Sequence, residues 1–467
     1  MEDRDTPKGR GSKRLRTTKG EVPQRKIVYK EDELYKFSQP TVERMKSPLS
    51  YTPMFFLRTH SKNNDPADVQ TQIWQCIFEP SQENPHESTG IVATCGGSSV
   101  CFINVDDGEV HLKYNRNIKS SAGVENLYAL AWTALSLDNT GLKKMNILAA
   151  AGTKSTVLLI HPDAGVCYQM FRTVPTKAAA VVCSLLFHPK KATWLFCGHE
   201  DGQIQIWDIG IPKLPSYETV PVHLMTVPSV ARDVYNFAFS QTYDLLICGC
   251  DGGLFAWKID MEKIESNGSL ERTEFALPMV DGHASVLDSI CMLRDDILAA
   301  KCALHGMIYL FSIEKAISQR KATKSKKQYE TTVSEDMMLR LRWSDTDNYY
   351  MNMGVDPRSC VLVCGDDKGS LWVYDLAGYV TGYLNSPLNG HSQSKLIEPV
   401  MTLEWPELED TEVEKARKLR LDTYDIVVDK CAVSPGADHV VAVTSNNMVC
   451  IWKRDKNEKN SGDSKND

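Results

Sequence analysis

The sequence predicts an all-β fold, a seven-bladed β-propeller of the WD40 type with disordered tails. Seven segments each join a turn rich in small or polar residues to a short apolar strand. They recur at the interval expected of propeller repeats. Several carry two more strands upstream, which with an outer strand makes a four-stranded blade.

The segments are "GGSSVCFINV", "GTKSTVLLIH", "HEDGQIQIWDI", "CDGGLFAWKID", "LHGMIYLFSIE", "DDKGSLWVYDL" and "TSNNMVCIWKR". Their turns supply the positive φ angles and polar side chains that tight hairpins need. The strands end near residues 103, 160, 207, 257, 311, 374 and 452. "VCSLLFHPKKATWLFCGHEDGQIQIWDI" and "KCAVSPGADHVVAVTSNNMVCIWKR" each read as strand, turn, strand, turn, strand. Only Trp207-Asp208 is a literal WD dipeptide among these segments, so the repeats are divergent. A ring has no free edge if its first and last strands share a blade. The early strand in "MFFLRTHS", around Met54–His60, is therefore expected to complete blade seven beside "MVCIWKR". The long last interval is taken up by the charged insertion "WPELEDTEVEKARKLRLDTYD", about residues 405–426, with a short helix expected near Glu412–Leu421. The propeller is placed at residues 49–454, with a basic tail at 1–48 and a polar tail at 455–467.

Composition sets bounds on function. The chain is 42% apolar, ample for one large core. No apolar run approaches the eighteen or so residues of a membrane helix, and the charged N-terminus does not read as a secretory signal. The fourteen cysteines lie scattered in apolar strands without a C-x-x-C pair. They read as buried, reduced thiols, with neither a disulfide framework nor a metal site expected. The net charge of −7 hides a head, residues 1–30, that carries +6. Lys13, Arg14 and Arg16 in it are candidates for nuclear import or direct nucleic-acid contact.

Catalytic motifs are missing. There is no Walker loop, G-x-S-x-G, H-E-x-x-H or dinucleotide fingerprint. His188 in "FHP" and His199 in "GHEDG" sit at blade turns, where structural hydrogen bonding is their expected role. No enzyme and no cofactor are expected.

The inner strands hold the most informative pattern. Aligned as "QIWQCIFEP", "NLYALAWTAL", "AVVCSLLFHP", "DVYNFAFS", "SVLDSICML" and "DNYYMNMGV", they place Trp74, Tyr128, Val182, Tyr235, Leu287 and Tyr350 at one level. That level is one rim of the central channel. Trp74, Tyr128, Tyr349 and Tyr350 become candidate walls of a cage for a quaternary ammonium ion, trimethyl-lysine being the biological cation of that shape. Each ring face contributes on the order of 0.5–2 kcal/mol to such a cation. The same rings could instead simply pack.

The strings "TQIWQCIFEP", "IVATCGGSSVCFINVDDGEV", "YALAWTALSLDNTGLKKMNILAAAG", "VLVCGDDKGSLWVYDL" and "VCIWKR" resemble the WD-repeat half of the leucine-rich-repeat and WD-repeat family that associates with the origin recognition complex. The resemblance spans roughly residues 50–454. More distantly, the ring is similar to the Polycomb propeller known as embryonic ectoderm development, which binds trimethyl-lysine in an aromatic cage. On that match, Trp74 takes the place of a cage phenylalanine, Tyr128 matches a tyrosine, and Tyr349 and Tyr350 fall on a Trp-Tyr pair. The resemblance implies a nuclear chromatin adaptor. It would read trimethylated histone H3 or H4 tails and help hold origin recognition complex subunits on heterochromatin, including centromeres and telomeres, for DNA replication. The family's leucine-rich ladder, L-x-x-L-x-L-x-x-N, is not found in this chain. The alternatives are a scaffold for origin or Polycomb-type complexes that reads no histone mark, and a subunit that embraces a methyltransferase helix.

Overall fold

The computed structural model describes residues 39–456, apart from 46, 66, 85, 117–124, 139–142, 174–179, 228–232, 279–285, 326, 381–395 and 405–425. Lys13, Arg14 and Arg16, the expected helix near Glu412–Leu421, and residues 457–467 lie outside the described residues.

Seven sheets, each with four antiparallel strands at its heart, make seven blades. Blade one runs outward as Ile73–Pro80, Ser88–Gly96, Ser99–Asn104 and Val110–Asn115. The other innermost strands are Leu127–Ser136, Val182–His188, Val234–Ser240, Val286–Arg294, Gly354–Asp356 and Val428–Val433. Each innermost strand packs on the next, and the seventh packs on the first, so the ring is closed. Middle strands such as Lys144–Gly152 and Thr156–His161 are buried almost throughout because a neighbouring blade covers each face. That double burial explains their unbroken apolar runs. The outer strand of blade one, by contrast, is exposed or half-buried throughout.

The core is a set of wedges between blades. Ile73, Val92 and Ile103 of blade one meet Val441, Val449 and Ile451 of blade seven. Leu362, Cys364 and Tyr374 of blade six meet Ile297, Ile308 and Leu310 of blade five. All fourteen cysteines are free thiols, most of them buried. No helix among the described residues is long and apolar enough to cross a membrane.

The expected closure is present, with shifted limits. Tyr51–Leu57 pairs antiparallel with Val449–Arg454, from Tyr51 opposite Arg454 to Leu57 opposite Val449. His60 lies beyond the strand and is buried against Ser99 Oγ (2.7 Å) and Thr94 Oγ1 (2.8 Å). Phe56 meets Trp452 edge to face at 5.8 Å, and the buried Tyr51 hydroxyl donates to the Ala437 carbonyl at 2.9 Å. Residues just before this strand, grouped with the basic tail by composition, also touch the ring. Val42 packs beside blade six, and the Glu43 amide donates to the Arg358 carbonyl.

Two additions escaped the repeat pattern. After the third strand of blade five the chain forms a short helix, Ile313–Ser318, capped by Ser312. It then returns to blade four, where Gln328–Thr332 pairs in parallel with the outer strand Glu271–Ala276 and Lys321–Ala322 adds a sixth strand. Leu396–Ile397 likewise adds a parallel fifth strand to blade five.

Candidate functional site: an aromatic rim on the central channel

Six innermost strands share one local irregularity. In each, the register against the next strand slips by one residue near the start: at Trp74, Tyr128, Cys183, Tyr235, Asp288 and Asp429. Such bulges re-aim the extra side chain. The bulged residues are therefore the structural equivalents around the ring. This corrects the alignment in two blades: Cys183 stands in place of Val182, and Asp288 in place of Leu287. Val182 and Leu287 are fully buried in the blades.

Blade six departs from the pattern. Its inner strand starts only at Gly354, so Tyr349 and Tyr350 precede it and strand alternation does not govern them. Tyr350 adopts φ 68°. A bulky residue rarely holds this left-handed conformation unless its surroundings fix it. Several groups fix it here. The Asn352 side chain donates to the Tyr350 carbonyl (3.0 Å) and accepts from Asn236 of blade four (2.8 Å). The Asn352 amide donates to the Asp429 carbonyl, and the Cys431 amide donates to the Asn352 carbonyl. The Met353 amide donates to Ser289 Oγ of blade five at 2.9 Å. Gly354 fits because a Cβ there would lie 2.5 Å from the Cys431 carbonyl oxygen.

The result is a chain of perpendicular rings. Trp74 and Tyr128 lie 5.0 Å apart at 90°, Trp74 and Tyr350 6.4 Å apart at 85°, and Tyr350 and Tyr235 5.0 Å apart at 90°. All four line a channel cavity of about 780 Å³. Three of the four sequence candidates thus come together: Trp74, Tyr128 and Tyr350. Tyr349 is exposed and, among the described residues, neither lines the cavity nor joins a ring pair. Tyr235 is the ring that sequence reasoning aligned but did not choose. The signal was its place at the same level as Trp74 and Tyr128. Tyr235 meets Tyr350 with blade five between them, just as Trp74 meets Tyr350 with blade seven between.

The cavity carries charge of both signs: Lys430 lines it, with its Nζ bonded to the Met353 carbonyl at 2.9 Å, while carboxylates act on the tyrosine rings. Glu200 and Asp233 line the same cavity. Burial, with the Asp233 carboxylate adding to it, pushes the Tyr350 phenol up to about 12. Burial likewise raises Tyr235, with Tyr350 and Asp233 next in effect. Burial also raises Tyr128. All three rings are neutral phenols near pH 7. In blade five, Asp288 is fully buried and paired with Lys301 Nζ at 2.5 Å. That ammonium lies 4.4 Å from the Trp343 ring centroid. Asp429 is held in a raised, protonation-favouring state by burial, partly offset by the Gln72 amide at 2.7 Å.

The turn histidines are buried hydrogen-bonding groups. His188 Nδ1 accepts from the Lys190 amide at 3.0 Å, and burial lowers its pKa to about 3. His199 Nε2 contacts Thr173 Oγ1 at 2.9 Å, and burial lowers it too. Among the described residues, one cluster has metal-ligand chemistry: Asp107, Glu109 and His111, all exposed on blade one.

The comparisons agree with this architecture. The WD domain described as "Leucine-rich repeat and WD repeat-containing protein 1" matches residues 44–455. The protein of that name from Xenopus tropicalis is 33% identical over 409 residues, covering 86% of this chain and 55% of its own length. The Homo sapiens protein is 31% identical over 421 residues, covering 89% of this chain and 59% of its own. The chain therefore spans little more than half the length of these relatives. Among solved structures, a chain of the Chaetomium thermophilum Polycomb repressive complex 2 superposes with a TM-score of 0.59 at 13% identity, covering 87% of this chain and 98% of its own. A chain from ctPRC2 in complex with H3K27me3 and H3K27M gives 0.58 at 13% identity with the same coverage. At that identity the likeness is one of fold. With a matched domain covering most of its length and relatives above 30% identity, the chain belongs to the leucine-rich repeat and WD repeat-containing protein 1 family, of which it carries the WD-repeat propeller.

Proposed function

We propose that this protein is a nuclear chromatin adaptor that binds a trimethyl-lysine histone tail at the aromatic rim. One observation carries the reading: four rings from blades one, two, four and six form a chain, each near perpendicular to the next, at a cavity that also holds carboxylates. Trp74, Tyr128 and Tyr350 are the walls, Tyr235 the deeper wall, and Tyr349 an exposed flank. A methylammonium meets several ring faces there and loses little hydration on entry. Glu200 and Asp233 add an attractive field. The reading has no covalent step. The cage sees only the methylated head, so flanking contacts set the choice among histone H3 and H4 lysines.

The rest of the role rests on the family resemblance. The propeller's other surfaces hold origin recognition complex subunits on heterochromatin, centromeres and telomeres included, and the basic head with Lys13, Arg14 and Arg16 serves import or touches nucleic acid. A methylation series of histone H3 and H4 peptides, from unmodified to trimethylated, tests the first part. Affinity should rise with methyl number. Co-precipitation of origin subunits by a Trp74→Ala protein tests the second, and it should persist, because the cage and the docking surface are separate. The scaffold reading has one observation in its favour, since edge-to-face contact at 5.0 Å is also how rings pack without a ligand. Equal affinity across the methylation series would decide for it.

A further inference from the structure

The hairpin added to blade four holds an unusual charge pattern. From Arg320 to Lys327 the described residues include Arg320, Lys321, Lys324 and Lys327, and no acid interrupts them. The whole chain, by contrast, is net negative. Arg320 is fixed at the base, bonded to Glu271 Oε1 (2.5 Å) and stacked 4.3 Å over the Tyr329 ring. Lys321, Lys324 and Lys327 are exposed and, among the described residues, form no ion pair, although the Lys327 ammonium donates to the Ser269 carbonyl at 3.1 Å. The Thr323 amide donates to the Gln328 carbonyl at 2.9 Å, closing the hairpin so that Lys324 and Lys327 lie in its turn.

We propose that this hairpin is a nucleic-acid backbone contact, with Lys321, Lys324 and Lys327 neutralising phosphates. Lysines on an edge strand commonly guard against aggregation. That role accounts for Lys321, but Lys324 and Lys327 lie past the strand, where no edge needs guarding. Lys327 also has φ 61°, a conformation that glycine or asparagine adopts at little cost, yet the position carries a long cation. Departures from local preference concentrate at functional positions. A polyphosphate fits better than an acidic protein. Protein interfaces are depleted in lysine and need apolar or aromatic anchors, whereas the described residues of 321–327 are only lysine, alanine, threonine and serine, the hairpin's tyrosine is covered by Arg320, and its exposed acid, Glu330, stands on the second strand opposite Lys321. Phosphate contacts need only cations and hydroxyl or amide donors.

The test uses the full chain with Lys13, Arg14 and Arg16 changed to alanine, which halves the head's net charge of +6 and so lowers its competing contribution. Fluorescence anisotropy with a short labelled DNA duplex is followed across a salt series. It is repeated with Lys321→Ala, Lys324→Ala and Lys327→Ala combined, and with polyglutamate in place of DNA. These exposed changes should leave the melting temperature unmoved. The proposal expects DNA binding whose log–log salt slope shrinks by about 2–3 in the triple variant, since each lost phosphate contact removes about 0.9. An unchanged slope, or binding to polyglutamate without binding to DNA, overturns it.

Discussion

Tyr350 shows how much structure one side chain can require. Its left-handed backbone is held by Asn352, which is tied in turn to Asn236, Asp429 and Cys431. Asn352→Ala should therefore weaken methyl-lysine binding several-fold while leaving the walls chemically intact. The check is peptide affinity measured beside the melting temperature, and a loss of affinity without a matching loss of stability marks Asn352 as a positioning residue. Trp74→Ala removes a ring that touches both Tyr128 and Tyr350. A loss of about 1.4 kcal/mol, within the cation–π range, is tenfold in affinity, so a drop of at least that order is expected from competition binding. Tyr350→Phe should keep most of the affinity, because in the proposed cage the ring face, not the hydroxyl, meets the cation. At this scale Trp74, Tyr128 and Tyr350 were legible, because aromatics at one level of successive inner strands form a visible pattern. Tyr235 was visible in the alignment but unassigned, since sequence spacing does not say which rings at that level meet. Asp288 and Asp429 were not read at all, because bulges shift the register by a residue that no local residue type announces.

Among the elements, the closing strand matters most. Trp452 packs between Phe56 and the blade-seven core, and it is almost fully buried. Trp452→Ala should cost about 3–5 kcal/mol by the usual scale for large core truncations, measured by urea unfolding. Removing Tyr51–Leu57 should open the ring and abolish a single cooperative transition. Acid acts on two buried histidines, His60 just past this strand and His188 in blade three. His60 and His188 are each depressed to about 3 by burial, against 6.5 when free. The unfolded chain takes up their protons first, so their stabilisation is complete above about pH 6.5 and is lost as pH falls from there toward 3. Unfolding curves at pH 7 and pH 5 should show the loss, and His60→Asn should reduce the difference between them. Strand-turn-strand units were readable from their turns and apolar runs. The hairpin at Lys321–Thr332 was not, because a polar, lysine-rich segment looks like a loop until parallel pairing with Glu271–Ala276 orders it.

At the level of the whole molecule, seven repeated units fix a closed ring, and that count was readable because each blade repeats its own turn and strand. Ring closure brings the starts of all inner strands to one mouth, so residues from blades one, two, four and six can share a site although Trp74 and Tyr350 are far apart in sequence. The central claim is that this mouth reads methylated lysine. Calorimetric titration of the protein with histone H3 tail peptides, unmodified and trimethylated, in parallel with Tyr350→Ala, tests it most directly. The account predicts binding that requires trimethylation and is lost in the variant. Equal binding of both peptides, or methyl-dependent binding that survives Tyr350→Ala unchanged, would contradict it.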